Sequence, residues 1–217
     1  MSLSPRERTL LVRRTARYFE LGGDVARPPG ELWYVLHGYG QLASEVAAGL
    51  AFLATPERRL VVPEGLSRFY RDGTGGIVGA SWMTRVAREA EIEDYVAYLD
   101  ALHARVLADL GTEPRVTVLG FSQGTAAASR WVARGGVRAE RVILWGGGQP
   151  PDVDLAAAPE AFRGLSFAAG ERDAFITPER LAEERARVEA AGLPFRLATF
   201  AGGHRLDDDL LRSLSGG

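Results

Sequence analysis

Six short apolar runs, separated by segments with helical periodicity, constrain the fold of this 217-residue chain more than any other feature. The runs cover residues 32–36, 60–62, 116–119, 142–145, 165–168 and 195–200. Each is almost continuously hydrophobic rather than alternating, which is typical of parallel strands covered on both faces. The pattern predicts one α/β domain over 1–217, with a mostly parallel central sheet flanked by helices and no large cap domain.

The intervening segments carry helix signals. Residues 84–110 have apolar side chains at spacings of three and four, and residues 123–133 are small and apolar, as expected of a helix packed closely on a sheet. Thr177-Pro178-Glu179 predicts a capped helix start, and 206–214 predicts a short last helix. We expect edge strands within 9–21 and a turn at 22–30. We expect surface loops at 63–82 and 149–161.

Composition excludes several kinds of chemistry. The chain contains no cysteine and no lysine, which excludes thiol nucleophiles, thiolate metal sites, Schiff bases and the lysine of a phosphate-binding loop. Arginine supplies all 26 Lys+Arg positions against 28 acidic residues, and a net charge of −2 argues against nucleic acid as a partner. Serine, threonine, carboxylate or tyrosine nucleophiles remain, with three histidines as possible imidazole bases.

Hydropathy gives an expectation about location. The first residues contain no apolar run of signal-peptide length, and no stretch approaches the roughly 18 apolar residues of a membrane span. We therefore expect a cytoplasmic protein without an integral membrane segment.

The segment Gly120-Phe121-Ser122-Gln123-Gly124 lies directly between an apolar run and a helical segment. A serine placed on a tight strand-to-helix turn needs flanking residues without side chains, because the backbone there approaches neighbouring chain closely. Its hydroxyl then projects from the end of the sheet, and the helix N-terminus faces any developing oxyanion. The segment predicts that Ser122 is a nucleophile.

A second motif, His37-Gly38-Tyr39-Gly40, follows the first apolar run. An acyl-transfer site needs two backbone N–H groups directed at the carbonyl oxygen, and the amides of Tyr39 and Gln123 are the candidates. We interpret His37 as a structural histidine that braces this turn, and His103, inside the long helix, as a surface or interface residue.

The general base and its carboxylate partner follow later in the chain. His204 lies in a glycine-containing turn after the last predicted strand, and its imidazole suits proton transfer near neutral pH. Asp173, after the run 165–168, is our candidate to orient it, with Glu171 as the local competitor and Asp152 or Asp154 as weaker ones. Carboxylates at 207–209 favour stabilisation of the last helix over a metal site with His204.

Together these motifs resemble the phospholipase/carboxylesterase family of α/β-hydrolases, which includes acyl-protein thioesterases and small bacterial carboxylesterases. The matching segments span about residues 30–210: Val35 to Gly40, Pro63-Glu64-Gly65, Ser81-Trp82, Gly120 to Gly124, Gly170 to Asp173, and Gly203 to Leu206. The resemblance implies a Ser122–His204–Asp173 triad, an oxyanion hole from the Tyr39 and Gln123 amides, and hydrolysis of esters or thioesters without metal or organic cofactor. Gln41 and Thr125 depart from the family pattern.

For the substrate, the sequence predicts a small-molecule ester with a short- to medium-chain acyl group. We expect an open, shallow site formed by loop residues: Phe69, Trp82 and Met83, with Tyr39, Phe175 and Leu206 nearby. Hydrolysis of lactones, thioesters or short peptides is an alternative, and so is a non-catalytic small-ligand-binding protein, because fold does not fix function. Oligomeric state has no signature in the sequence.

Overall fold

The computed structural model describes residues 4–24 and 28–216, and nine β-strands lie within these ranges. Their bounds are β1 Tyr18–Gly22, β2 Glu31–Leu36, β3 Arg58–Pro63, β4 Ser67–Asp72, β5 Gly75–Ser81, β6 Arg115–Phe121, β7 Arg141–Trp145, β8 Leu165–Gly170 and β9 Leu197–Phe200. Seven strands form the central sheet in the order β1-β3-β2-β6-β7-β8-β9. Only β1 runs antiparallel to its neighbour in this sheet, which confirms the predicted, mostly parallel architecture.

Helices cover both faces of this sheet. They are α1 Ala43–Gly49, α2 Arg88–Leu110, α3 Gln123–Arg134, α4 Pro178–Ala190 and α5 Asp208–Ser215, with short 3₁₀ turns at Ala51–Leu53 and Pro159–Phe162. Along β2, Tyr34 packs into the core beneath α2 and α3, whereas its neighbours Trp33 and Val35 pack into the core beneath α1 and α5. A strand buried on both faces needs apolar residues at successive positions, which explains the continuous runs.

Five of the six apolar runs lie within strands of the sheet, and the sixth, 195–200, begins two residues before β9; other boundaries also differ from the prediction. Within 9–21 the structure forms a single edge strand, β1, which continues into Gly22. Residues 25–27 of the expected turn at 22–30 lie outside the described residues. Helix α2 begins at Arg88 and α5 at Asp208, later than predicted, and α1 was not predicted from the sequence. Helix α1 was missed because only seven residues carry its periodicity.

The prediction of a surface loop over 63–82 is wrong, because β4 and β5 form an antiparallel hairpin there. Strand β4 is half-buried or exposed throughout, so it contains no apolar run. Glycines make up three of the seven residues of β5 and hide its strand character. The hairpin lies against the turn after β2, where the Gly40 N–H donates to the Ala80 carbonyl at 2.9 Å.

His103 is half-buried rather than at the surface, which corrects the sequence interpretation. Its Nδ1 lies 2.9 Å from the hydroxyl of Tyr34, and its ring packs edge-to-face against Trp131. Burial between β2 and α3 lowers the pKa of His103, which favours the neutral ring.

Asp152 anchors the predicted loop 149–161 to the helical layer. Its carboxylate accepts from Arg130 Nε at 2.9 Å and Nη2 at 2.7 Å, and it also pairs with Arg88 and Arg134. The Arg130 side chain is only 4% exposed, so the pair is shielded from water on one side. Hydrogen bonds from Arg130 hold the pKa of Asp152 well below its ordinary value.

Asp152→Asn should lower the free energy of unfolding by about 3 kcal/mol at pH 7, because it leaves the buried Arg130 charge without its partner. The folded pKa of Asp152 lies below its unfolded value. The stabilisation is therefore complete above about pH 4 and is lost as the pH falls through the folded pKa. Urea denaturation of both proteins across this range measures the difference.

The matched control is Asp109→Asn, which breaks the Asp109–Arg105 pair on the exposed face of α2. That substitution should leave the denaturation midpoint unchanged, because exposed ion pairs contribute little. Equal effects of the two substitutions would contradict the anchoring role of Asp152.

Candidate active site

The turn between β6 and α3 holds Ser122 in a strained conformation, with φ 53° and ψ −116°. The two flanking glycines make this turn possible. A Cβ atom at Gly120 would lie 2.3 Å from the carbonyl oxygen of Gly124, and one at Gly124 would lie 2.1 Å from the carbonyl oxygen of Leu36. The backbone contacts expected from the motif are therefore present, and the Ser122 hydroxyl is directed away from the sheet edge.

His204 and Asp173 lie beside this hydroxyl. His204 Nε2 is 2.9 Å from Ser122 Oγ, and His204 Nδ1 is 2.8 Å from Asp173 Oδ2. The three residues come from the ends of β6, β8 and β9, which meet at the carboxyl edge of the parallel sheet. With Nδ1–H donating to the carboxylate, Nε2 is free to accept the serine proton.

Asp173 is fixed by the turn that contains it. Its side chain is 1% exposed, and Oδ1 accepts the backbone N–H groups of Phe175 at 2.8 Å and Ile176 at 3.3 Å. The other oxygen, Oδ2, is left for His204. The competing acids lie elsewhere: Glu171 is exposed, and Asp154 accepts from the backbone of its own loop.

Two aromatic rings enclose the imidazole of His204. Phe121 packs 5.0 Å from it and Phe175 4.6 Å from it, measured between ring centroids. The Phe175 ring is 60% exposed and covers the imidazole from the solvent side. These contacts restrict rotation of the His204 ring away from its two hydrogen-bond partners.

The candidate oxyanion amides lie on adjacent turns. Tyr39 follows β2, Gln123 begins α3, and β2 pairs directly with β6 in the sheet. A Cβ atom at Gly38 would lie 3.2 Å from Ser122 Cβ, so the two turns touch. The first N–H groups of a helix lack intrahelical partners, and the helix dipole adds positive potential there. The Gln123 N–H is therefore available to an oxygen bound above Ser122, and the Tyr39 N–H on the neighbouring turn is the candidate second donor.

His37 holds the first of these turns from below. It is fully buried, its Nδ1–H donates to the Gly38 carbonyl at 2.8 Å, and its Nε2 accepts the Gly65 N–H at 2.9 Å. Burial lowers the pKa of His37, which favours the neutral ring that this pair of hydrogen bonds requires. These contacts match a bracing role and leave no nitrogen of His37 free for proton transfer.

Side chains around the turn complete the support. Gln41 Oε1 accepts the Gly38 N–H at 2.7 Å, and Trp82 Nε1 donates to the His37 carbonyl at 2.8 Å. The Gln123 side chain accepts from the Trp82 N–H at 3.1 Å and donates to the Met83 carbonyl at 2.9 Å. The Gln123 side chain thus links α3 to the residues after β5. This link was not predicted from the sequence, which indicated a role only for the Gln123 backbone amide.

A cavity of about 350 Å³ opens beside Ser122 on the side of β7, β8 and α4. Thr125 lines it and donates from Oγ1 to the Ser122 carbonyl at 2.7 Å. Its further lining comprises Gly146, Gly147, Gly148, Gln149, Pro150, Pro151, Phe167, Ala168, Ala169, Phe175, Ile176, Arg180, Leu181 and Glu184.

Of the residues expected to wall the substrate site, only Phe175 lines this cavity. Trp82 is buried, and Met83 packs against the helical core instead. Phe69 stacks on the exposed ring of Tyr39 at 5.1 Å, while Leu206 packs into the core beneath α5. The expectation for Trp82 is wrong because its ring is buried against His37 and Tyr95, next to the end of the β4–β5 hairpin that the sequence did not reveal.

Residues 4–24 and 28–216 contain neither a candidate metal site nor a membrane-spanning helix. These residues contain no group of three or more side chains suited to hold a metal ion. Asp207 caps α5 by accepting from the Leu210 N–H and pairs with Arg205. No helix in the same ranges has the length and apolarity needed to cross a membrane.

Solved structures share this architecture. Esterase PE8 is 20% identical over 94% of this chain and 97% of its own length, with a TM-score of 0.66. Acyl-protein thioesterase 2 of Zea mays is 18% identical over 93% and 97%, with a TM-score of 0.68. The Bacillus cereus carboxylesterase is 16% identical over 93% and 92%, with a TM-score of 0.64. These similarities confirm the predicted α/β-hydrolase fold. No protein-family model matches the chain, and no curated protein sequence is significantly similar to it.

Gly124→Ala should destabilise the protein by several kcal/mol and displace Ser122, because the added methyl group would overlap the Leu36 carbonyl oxygen. Thermal denaturation followed by circular dichroism measures the stability. The control is Gly49→Ala at the end of α1, where an added Cβ meets no atom within 4 Å. Gly49→Ala should leave stability unchanged or raise it slightly. A stable Gly124→Ala protein would contradict the close backbone contact.

Proposed function

We propose that this protein is a serine hydrolase that cleaves carboxylic esters of small alcohols or acids through an acyl-enzyme intermediate. The observation that carries the proposal is the continuous hydrogen-bond relay from Ser122 through His204 to Asp173, in which Ser122 also lines the cavity. The fold shared with esterase PE8, the maize thioesterase and the Bacillus cereus carboxylesterase supports it.

In the first half of the reaction, Ser122 Oγ attacks the ester carbonyl while His204 Nε2 takes its proton. Asp173 accepts from Nδ1–H throughout and stabilises the imidazolium that forms. The carbonyl oxygen gains negative charge as the tetrahedral intermediate develops, and the Tyr39 and Gln123 amides would donate to it. The protonated His204 then gives its proton to the departing alcohol, which leaves an acyl group on Ser122.

In the second half, water replaces the alcohol. His204 takes a proton from the water as it attacks the acyl carbonyl, and the same two amides stabilise the second intermediate. Collapse of that intermediate returns the proton to Ser122 Oγ and releases the acid. Each step uses side chains already within hydrogen-bond distance of one another, and no rearrangement of the described loops is required.

Thioesters, lactones and short peptides are alternative substrates, because they would undergo the same two acyl transfers at the same residues. A cavity of about 350 Å³ suits a short- to medium-chain group better than a long acyl chain. A non-catalytic ligand-binding role is disfavoured by the strain at Ser122, since a binding scaffold gains nothing from holding a serine at φ 53°.

Ser122→Ala should abolish hydrolysis of p-nitrophenyl butyrate while leaving the fold intact, and Asp173→Asn should lower kcat by about 10⁴-fold by disturbing the His204 tautomer. Initial rates and circular dichroism measure both effects. Ser213→Ala, an exposed serine on α5, is the matched control and should retain the wild-type rate.

Covalent labelling of the serine distinguishes the proposed hydrolase from a non-catalytic ligand-binding protein. A fluorophosphonate probe should modify Ser122 in the wild-type protein, and mass spectrometry of the proteolysed product should locate the adduct there. Full activity of Ser122→Ala, or an unlabelled wild-type Ser122, would refute the proposed function.

A further inference from the structure

The side chain of Gln149 is buried in the cavity wall with both of its polar atoms unsatisfied. Gln149 follows the glycines after β7 and is 5% exposed. Neither Nε2 nor Oε1 has a hydrogen-bond partner in the described part of the chain. A buried amide without partners carries its full desolvation penalty, so native proteins seldom keep one unless a ligand or water completes it.

Glu184, which lines the same cavity, carries a third unsatisfied atom. Its Oε2 is buried and has no partner among the described residues, while Oε1 lies 3.5 Å from Arg187 Nη1. The carboxyl group packs directly on the backbone of Gly148, where a Cβ atom would lie 2.3 Å from Oε1. Burial raises the pKa of Glu184, which brings the group nearer to a neutral acid able to donate as well as accept.

The remaining lining decides which ligand chemistry fits. Most of the other side chains that line the cavity are apolar, and Arg180 donates to the Phe175 carbonyl at 2.7 Å. An aliphatic chain would fill the cavity but leave the amide of Gln149 unsatisfied. A ligand carboxylate would lie near the Glu184 carboxyl group, and a ligand ammonium would lie near Arg180 in the cavity wall and near Arg187, which pairs with Glu184. A hydroxyl group both donates and accepts, so it can accept from Gln149 Nε2 and donate to one of the two unsatisfied oxygens without adding net charge.

We propose that this cavity binds a hydroxyl-bearing substituent of the ester substrate, held by the side chains of Gln149 and Glu184. The inference rests on the proposed function and narrows it to esters of hydroxylated acids or alcohols. Gln149 and Glu184 are thus specificity determinants, and the scissile carbonyl binds at Ser122, which lines the same cavity.

The test compares esters that differ only by a hydroxyl group in place of a methyl group. On the acid side, p-nitrophenyl 3-hydroxybutyrate and 6-hydroxyheptanoate are compared with the 3-methylbutyrate and 6-methylheptanoate. On the alcohol side, 2-hydroxypropyl butyrate is compared with isobutyl butyrate. The wild-type protein should favour the hydroxylated member of at least one pair by about tenfold or more in kcat/KM, because the methyl isostere leaves buried polar groups unpaired.

Two variants test whether the preference for hydroxylated esters depends on Gln149 and Glu184. Gln149→Leu and Glu184→Met should each reduce the hydroxyl-to-methyl ratio by about tenfold, and Glu183→Met, on the exposed side of the same helix, should keep the wild-type ratio. Without substrate, Gln149→Leu should also raise Tm by about 2–4 °C, since it removes an unsatisfied buried amide. The rise in Tm shows that lost preference does not arise from a damaged fold.

The outcomes separate this inference from the proposed function. If a fluorophosphonate labels Ser122 and the methyl isosteres react as fast as the hydroxylated esters, the inference is overturned and the hydrolase proposal stands. A preference that persists in both variants overturns the assignment to Gln149 and Glu184. If Ser122 is unlabelled and no ester is cleaved, the proposed function fails and the inference fails with it.

Discussion

The contact between the first turn of α3 and the last carbonyl of β2 is the constraint from which the site follows. Residue 124 approaches the Leu36 oxygen so closely that a single methyl group would overlap it. This contact forces the chain to reverse within one residue of β6, and the reversal places Ser122 in a conformation that an L-residue adopts only under strain. The close contact between Gly124 and the Leu36 oxygen thus accounts for the backbone strain at Ser122, for the position of its hydroxyl and for the position of the first N–H groups of α3.

Support for the opposite wall of the site comes from buried polar groups rather than from apolar packing. His37 uses both ring nitrogens to join the turn after β2 to the chain after β3, and Trp82 and Gln123 tie that turn to the hairpin. Such groups stabilise a fold only when each is satisfied, and they then specify one geometry. Backbone amides held in this way need no reorganisation when charge develops nearby.

In the cavity, by contrast, some buried polar groups have no hydrogen-bond partner among the described residues. Around Ser122, the hydrogen-bonding groups of Asp173, His37 and Gln123 have partners, yet Gln149 and Glu184 keep three polar atoms unpaired a short distance away. Stability alone would favour apolar residues at both positions. Their presence is explained if a polar group of the substrate supplies the missing hydrogen bonds to Gln149 and Glu184.

The sequence by itself determined the strands that are buried on both faces, the tight turn at Ser122 and the chain order of Ser122, Asp173 and His204. These features depend on local causes: burial on both faces needs continuous apolar runs, and a close backbone approach needs glycine. Only the tertiary structure decided that Trp82 lies beneath the site, that 67–81 forms a hairpin, and that Glu184 faces the cavity while Glu183 faces solvent. Adjacent glutamates on one helix have the same propensity and charge, so their roles differ only through what packs against each of them. That difference comes from residues distant in the chain, whose positions no local pattern specifies.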